Sequence, residues 1–395
     1  MKIAFLGRVT LTRLSEHFQF YTQLPSVRWD FNYGSDLVAA LVRAGHDVSV
    51  VVADINHVAP TIYKAERLEI RIVPERRCRY QYLAFYSKEI EYLIDEICKI
   101  NPDVILANWT YQYARAALKS GFPALVVAHD SPWRVFWTMR NFTSLFKALY
   151  SQLLIFPHVK YLSTVSPHMA VDLRRFNFWR KSIEIIPNAI QEGMELSDCV
   201  KIRPEAQTIL CVTQWGRLKN SKVLLKAFAT LQERHPKWRL IVYGHYMDYR
   251  GADPWMRQIG LGYLLDSGSV ELRGYGTSKD IRQSLWNEAD IFCSPSLEES
   301  FGMVFIEAMA MGVPCVGGEK SGAVPWVIGD GGVVCDVTKY EKLAECIESL
   351  MLDYTTRKTM SDKAVMNVKK RFTMDAVVKR YIAVLENVVN EEHGK

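Results

Sequence analysis

The chain has 395 residues, 49% of them hydrophobic and 23% charged, which is longer than one ordinary core and predicts two domains of roughly 190 residues each. No run of about 18 uncharged apolar residues occurs, which argues against a membrane-spanning helix, and eight scattered cysteines without a C-x-x-C pair argue against a disulfide scaffold and for core thiols in a reducing cytoplasm. The net charge of +6 is uneven, with 23 Lys/Arg against 16 Asp/Glu from Met1 to Ile190 and 26 against 27 beyond, so the first half is expected to meet any anionic partner.

Met1 to Gly7 is too short and too regular for a signal peptide and reads as a first buried strand, Ile3 to Leu6. The segment from Gly7 to Tyr33 reads as a long loop, functional or mobile, carrying Arg8, Arg13, His17 and Arg28. A helix from Ser35 to Arg43, the turn Ala44-Gly45-His46 and a strand from Asp47 to Ala53 follow. Helices at Ser87–Lys99 and Tyr111–Ser120 alternate with apolar runs before Asn108 and at Ala124–Ala128, as a parallel sheet requires. The last of these strands ends at His129-Asp130, where a His-Asp pair can hydrogen-bond sugar hydroxyls or assist proton transfer.

Trp133 to Phe156 interleaves aromatics with Arg134, Arg140 and Lys147. That pattern suits a helix lying in a lipid interface, and equally an amphipathic helix packed on its own sheet. The runs Arg71–Arg79 and Arg174–Lys181 extend the basic character, and no RNA- or DNA-binding motif accompanies them.

In the second half, Thr208–Val212 is a strand followed by a loop with Arg217 and Lys219, then a helix from Val223. Cations before a helix suit a diphosphate. Further strands end at Gly244 and Gly274, glycines that let a flat base lie against backbone. An apolar run, Ala289–Cys293, reaches Ser294-Pro295 and a loop with Glu298 and Glu299. Strong helix formers then run from Met303 to Met311, stopped by Gly312 and Pro314. Strand, short loop and helix start form the place where open α/β sheets bind ligands, and the free N–H groups of the helix would face a phosphate. Three segments close the chain as helices: Lys339–Asp353, Thr355–Arg371 and Met374–Asn390.

Glu299-Ser-Phe-Gly-Met-Val-Phe-Ile-Glu307-Ala-Met-Ala-Met-Gly-Val-Pro resembles the E-x7-E signature of retaining GT-B glycosyltransferases, specifically glycosyltransferase family 4. Ser300 stands where that family usually has glycine. The segments Ser163-Thr-Val-Ser-Pro and Ile185-Ile-Pro-Asn-Ala-Ile also match the family's pattern, as does Ser321 to Ile328, with Trp326 in place of a common glutamate. The resemblance implies an α/β GT-B fold of two Rossmann-like domains facing a central cleft. It implies an acceptor-binding domain at 1–190, a linker at 191–206, a nucleotide-sugar domain at 207–372 and a helix at 373–395 crossing back to the first domain.

It further implies a retaining transfer from a nucleotide-sugar, UDP- or GDP-linked, to a saccharide or lipid-linked acceptor, in a cytoplasmic protein that touches the inner face of the membrane at most peripherally. Glu299 and His129 would attend the donor sugar, and Glu307 the ribose. Lys219, Arg217 and the backbone from Phe301 through Gly302 and Met303 to Val304 would hold the diphosphate. Gly34 would let the chain approach the phosphates, and Gly274 would lie beside the nucleobase. An ungapped match places Gln214 rather than Arg217 at the first phosphate-binding position. No Asp-x-Asp occurs, so no metal and no cofactor are expected. Two other readings remain: a sugar-nucleotide epimerase or hydrolase of the same fold, and a non-catalytic nucleotide-sugar-binding partner subunit.

Overall fold

Alternate residues of the first strand face two different cores. In the computed structural model, β1 (Lys2–Leu6) sends Ile3 and Phe5 into a cluster with Leu37 and Leu41 of the helix Asn32–Arg43. Ala4 and Leu6 face the opposite side, against Leu93 and Ile97 of the helix Ser87–Ile100. A strand buried on both faces must be apolar throughout, which is why the run reads so plainly in the sequence. The structure describes every residue except 19–23, 29–30, 78–83, 177–180, 192, 194–201 and 395. The linker expected at 191–206 falls largely outside the described residues, as do parts of the basic runs at 71–79 and 174–181.

Contacts divide the chain into two units, Met1–Gln191 with Met374–Lys395, and Glu192–Thr373. The first unit holds β1, β2 (Asp47–Asp54), β3 (Thr61–Lys64), β4 (Leu68–Pro74), β5 (Val104–Ala107), β6 (Ala124–Ala128), β7 (Tyr161–Thr164) and β8 (Glu184–Ile185). Their order is β3-β4-β2-β1-β5-β6-β7-β8, and every pairing is parallel except that of β3 with β4. The helix Met374–His393 joins this unit, adding Val377, Tyr381, Leu385 and Val388 to the cluster that contains Ile3 and Phe5.

The second unit holds β9 (Thr208–Val212), β10 (Arg239–Tyr243), β11 (Val270–Gly274), β12 (Ile291–Cys293), β13 (Cys315–Gly318) and β14 (Gly332–Cys335). They form a wholly parallel sheet in the order β11-β10-β9-β12-β13-β14. In each sheet the winding direction reverses at one seam, between β1 and β5 and between β9 and β12. Crevices at the carboxyl ends of such seams are the ligand sites of open α/β sheets.

Two expectations need correction. The segment after Gly7 is not a free loop over its described residues. Leu11–His17 forms a 3-10 helix with Leu11 and Leu14 fully buried, and Val9, Leu24 and Val27 join the core. It is tied down by the Arg13–Asp36 ion pair at 2.7 Å and by the Thr10 amide donating to Ser35 Oγ at 2.8 Å. Nor do the cations at 71–76 form a basic surface. Arg71 is buried and bound to Glu96 and Glu69, and Arg76 lies bidentate on Glu89. A buried guanidinium needs such partners to offset its desolvation.

Candidate active site

In the second unit the loops after β9 and β12 lie side by side at the seam of the sheet. Leu297 donates its amide to the Leu218 carbonyl at 2.8 Å, which fixes one loop on the other. This pairing brings Lys219 and Glu299 together although 80 residues separate them. The ammonium reaches Glu299 Oε1 at 2.5 Å, with Lys219 about one third exposed. The Glu299 carbonyl is held in turn by the Ala323 amide at 2.9 Å, where Gly322 runs so close that a Cβ would stand 2.3 Å from that oxygen. Side-chain-free backbone is therefore required at Gly322.

Gly302, at a φ of 93° that disfavours any other residue, opens the helix Met303–Ala310. The five positions from Phe305 to Ala310 other than Glu307 are buried, and in this helix Met303, Val304 and Glu307 alone reach the surface. They share one face at i, i+1 and i+4, adjoining the start of the helix, where N–H groups lack intrahelical partners. Phe301, just before this helix, turns its side chain inward. Its ring is 3% exposed and packs edge-on against Phe372 at 5.5 Å and against Trp326. Only its backbone is left for a ligand.

Arg217 lies exposed on the rim of a recess of about 540 Å³, lined also by Trp215, Gly216, Asn220, Lys222 and Leu297. Lys222 sits over the Trp215 and Trp255 rings at 5.5 and 5.1 Å. Gln214 is exposed nearby, at the end of β9. Gly274 turns with a φ of 64°, and Gly244 presses on Thr213, leaving no room for a Cβ. His245 and the exposed Tyr275 lie 5.0 Å apart beside these glycines. Two flat rings following two strand-end glycines are the signal by which they could have been found.

The first unit carries its own cluster at the seam between β1 and β5. Arg8, just past β1, stacks over Trp109, just past β5, at 5.3 Å. Trp109 stacks on His129 at 5.1 Å, and Phe31 meets the same imidazole edge-on at 5.8 Å. His129 Nε2 lies 3.0 Å from Asn108 Oδ1, which makes Nε2 the protonated nitrogen and leaves Nδ1 as an acceptor. Asn108 Nδ2 is fully buried and has no protein partner. Sequence reasoning passed over Asn108, Trp109 and Tyr111, whose only signal was their place at a strand end. Burial raises the Asp130 carboxyl, and Lys147, the Tyr111 hydroxyl at 3.2 Å and Arg8 act against it.

Gly34 lies inside the first turn of the helix Asn32–Arg43, and a Cβ there would stand 2.3 Å from the Arg8 carbonyl. On that side the close approach that demands glycine is made by the chain itself.

Burial among these rings pushes the His129 imidazole down to about 4 from its ordinary 6.5. A base depressed by folding stabilises the fold fully above the ordinary value, and that contribution is lost as pH falls from 6.5 toward 4. The melting temperature of the protein should therefore fall more steeply across this window than that of His129→Gln. Asp130 titrates in the opposite sense but is common to both proteins. Parallel curves would show that His129 is not held neutral.

Residues 32–192 match the family described as Glycosyltransferase Family 4, and residues 195–365 the one described as Glycosyl transferases group 1. Among curated relatives, N-acetyl-alpha-D-glucosaminyl L-malate synthase of Bacillus anthracis is 34% identical over 110 residues, 27% of this chain and 29% of that one. GDP-mannose:cellobiosyl-diphosphopolyprenol alpha-mannosyltransferase of Xanthomonas oryzae is 30% identical over 176 residues, 42% of this chain and 44% of that one. The matched stretches span less than half the length of these curated relatives. Sucrose-phosphate synthase from Thermosynechococcus elongatus superposes over 98% of both chains with a TM-score of 0.74 at 17% identity, which is a likeness of fold.

Proposed function

We propose that the chain, a GT-B glycosyltransferase with a family 4 first half and a group 1 second half, is an active, retaining enzyme of that type. It moves a sugar from a UDP- or GDP-sugar to a hydroxyl of a saccharide or lipid-linked acceptor, without a metal, in cell-surface polysaccharide or glycolipid synthesis. The observation that carries this reading is the Lys219–Glu299 pair beside the open face of the helix Met303–Ala310. The names of the relatives, one using GDP-mannose and a diphosphopolyprenol acceptor, support the substrate classes.

The arriving diphosphate competes with Glu299 for the Lys219 ammonium. Phosphate oxygens then take Lys219, Arg217 and the N–H groups from Gly302 to Val304, donors aimed at the place where charge develops as the glycosidic C–O bond breaks. Glu299, released from its cation, accepts hydrogen bonds from the donor sugar and favours a cationic anomeric carbon electrostatically. Glu307 accepts from the ribose hydroxyls, a role for which an acceptor-only carboxylate is suited. In the first unit, Nδ1 of His129 is an acceptor suited to a sugar hydroxyl. The acceptor hydroxyl attacks from the face the diphosphate leaves, and its proton passes to the departing phosphate oxygen.

A panel of UDP-, GDP-, ADP- and dTDP-sugars, read by thermal shift and slow nucleotide release with and without EDTA, tests the reading. One donor should raise the melting temperature by mass action, unaffected by EDTA, and the shift should vanish in Glu307→Ala. No shift with any donor in a folded protein would sink it and favour the partner-subunit reading. A shift abolished by EDTA would sink the metal-free part alone.

A further inference from the structure

The helix Phe142–Tyr150 and the π-helical turn Ser151–Ile155 carry large apolar side chains outward as well as inward. Tyr150 and Ile155 are buried with the small Ser144, Ala148 and Ser151, while Phe142, Leu149 and Leu153 stand 77, 42 and 64% exposed. These three, with the half-buried Leu145, recur at i, i+3, i+7 and i+11 and so make an outward stripe, while Phe146 packs on Tyr86 and Tyr150 of the core. A surface helix of a water-soluble domain normally turns such a stripe inward.

The stripe begins at a corner. The helix Pro132–Met139 stops at Arg140, whose φ of 48° is left-handed, and Asn141 caps the next helix through a capping box. Trp137 and Met139 are more than half exposed at this corner, with Arg140 between them and Phe142. From Ser131 to Val171 the chain has no Asp or Glu; Arg134 is held by Asp172 and Lys160 by Glu392, while Arg140 stands exposed and Lys147 half-buried. None of the described helices is long and apolar enough to cross a membrane.

We propose that this corner and stripe dock on an anionic lipid surface, the helix Phe142–Tyr150 lying in the headgroup layer with Phe142, Leu149 and Leu153 inserted and Arg140 on the lipid phosphates. Exposed aromatic and aliphatic side chains around the exposed Arg140 match the two attractions that hold an interfacial helix: apolar burial and the negative surface potential. A second copy of the chain fits less well. An isologous contact would set the same cationic corner at Arg140 against itself.

Vesicle co-sedimentation of the whole protein, without donor or acceptor, tests this separately from the donor screen. Partition onto phosphatidylcholine vesicles with about one quarter phosphatidylglycerol should exceed that onto pure phosphatidylcholine by about tenfold or more. It should weaken as salt rises from about 0.1 M to about 0.5 M. Phe142→Ser/Leu149→Ser/Leu153→Ser should lower the partition by about tenfold or more with an unchanged melting temperature. Phe142→Ser alone, at the most exposed of the three positions, should lower it in part and serves if the triple variant folds poorly. Wild-type protein left in the supernatant with anionic vesicles, or variants that bind as well as wild type, would overturn the proposal. So would a wild-type dimer by light scattering that becomes a monomer in the triple variant, which would assign the stripe to a second copy.

Discussion

Lys219→Ala is expected to lower kcat/KM for the donor by about 10²–10³-fold, the loss typical of one preorganised donor to developing charge. The same substitution should barely change stability. Its ion pair with Glu299 is part-exposed, and such pairs contribute about 0–1 kcal/mol. A large kinetic effect without a thermal one separates a ligand-binding cation from a structural one. Lys219→Arg should recover part of the activity, since a guanidinium brings the charge but a different geometry to the phosphate. Steady-state kinetics alongside thermal unfolding decide the matter. Unchanged kcat/KM in the alanine variant would remove Lys219 from the diphosphate.

Arg357→Met should have the opposite signature, a large loss of stability. Arg357 is 1% exposed and donates to the carbonyls of Leu350 and Met351, at the end of the helix Tyr340–Leu352, and to those of Arg203 and Pro204, which lead into β9. One side chain thus satisfies four carbonyls from two distant segments. Methionine keeps most of the volume and leaves all four without their donor, at a cost of about 3–5 kcal/mol. For a unit of this size each kcal/mol shifts the midpoint by about 2–4 °C, so the transition of the second unit should drop by roughly 10 °C. A drop within about 0.5 kcal/mol, the range of an ordinary surface substitution, would show that water replaces the guanidinium there.

Much of the fold was legible because strands such as β1 and β6 are buried on both faces and must be apolar at every position. The Glu299–Pro314 stretch was legible because its helix formers, stop signals and carboxylates are local. What escaped the sequence is what depends on distant partners. Nothing local says that Lys219 finds Glu299, that Asn108 fixes the His129 tautomer, or that the Arg8 carbonyl occupies the space beside Gly34. Arg71 and Arg76 were misread for the same reason, since the glutamates that neutralise them lie a helix away. The Leu11 and Leu14 spacing is a helical signal, but a single turn of it is too short to stand out against a loop.

The helix Met374–His393 packs into the first unit, although the whole second unit precedes it in the chain. Order of synthesis therefore inverts order of completion. The second unit has all its residues once Thr373 has left the ribosome, while the sheet containing β1 still lacks Val377, Tyr381, Leu385 and Val388 on one face. Until they arrive, that nascent unit exposes the apolar side of Ile3, Leu37 and Leu41 and depends on the folding machinery of the cell for cover. A nonsense mutation between Thr373 and Val388 is thus damaging at the other end of the protein, in the half that was translated first.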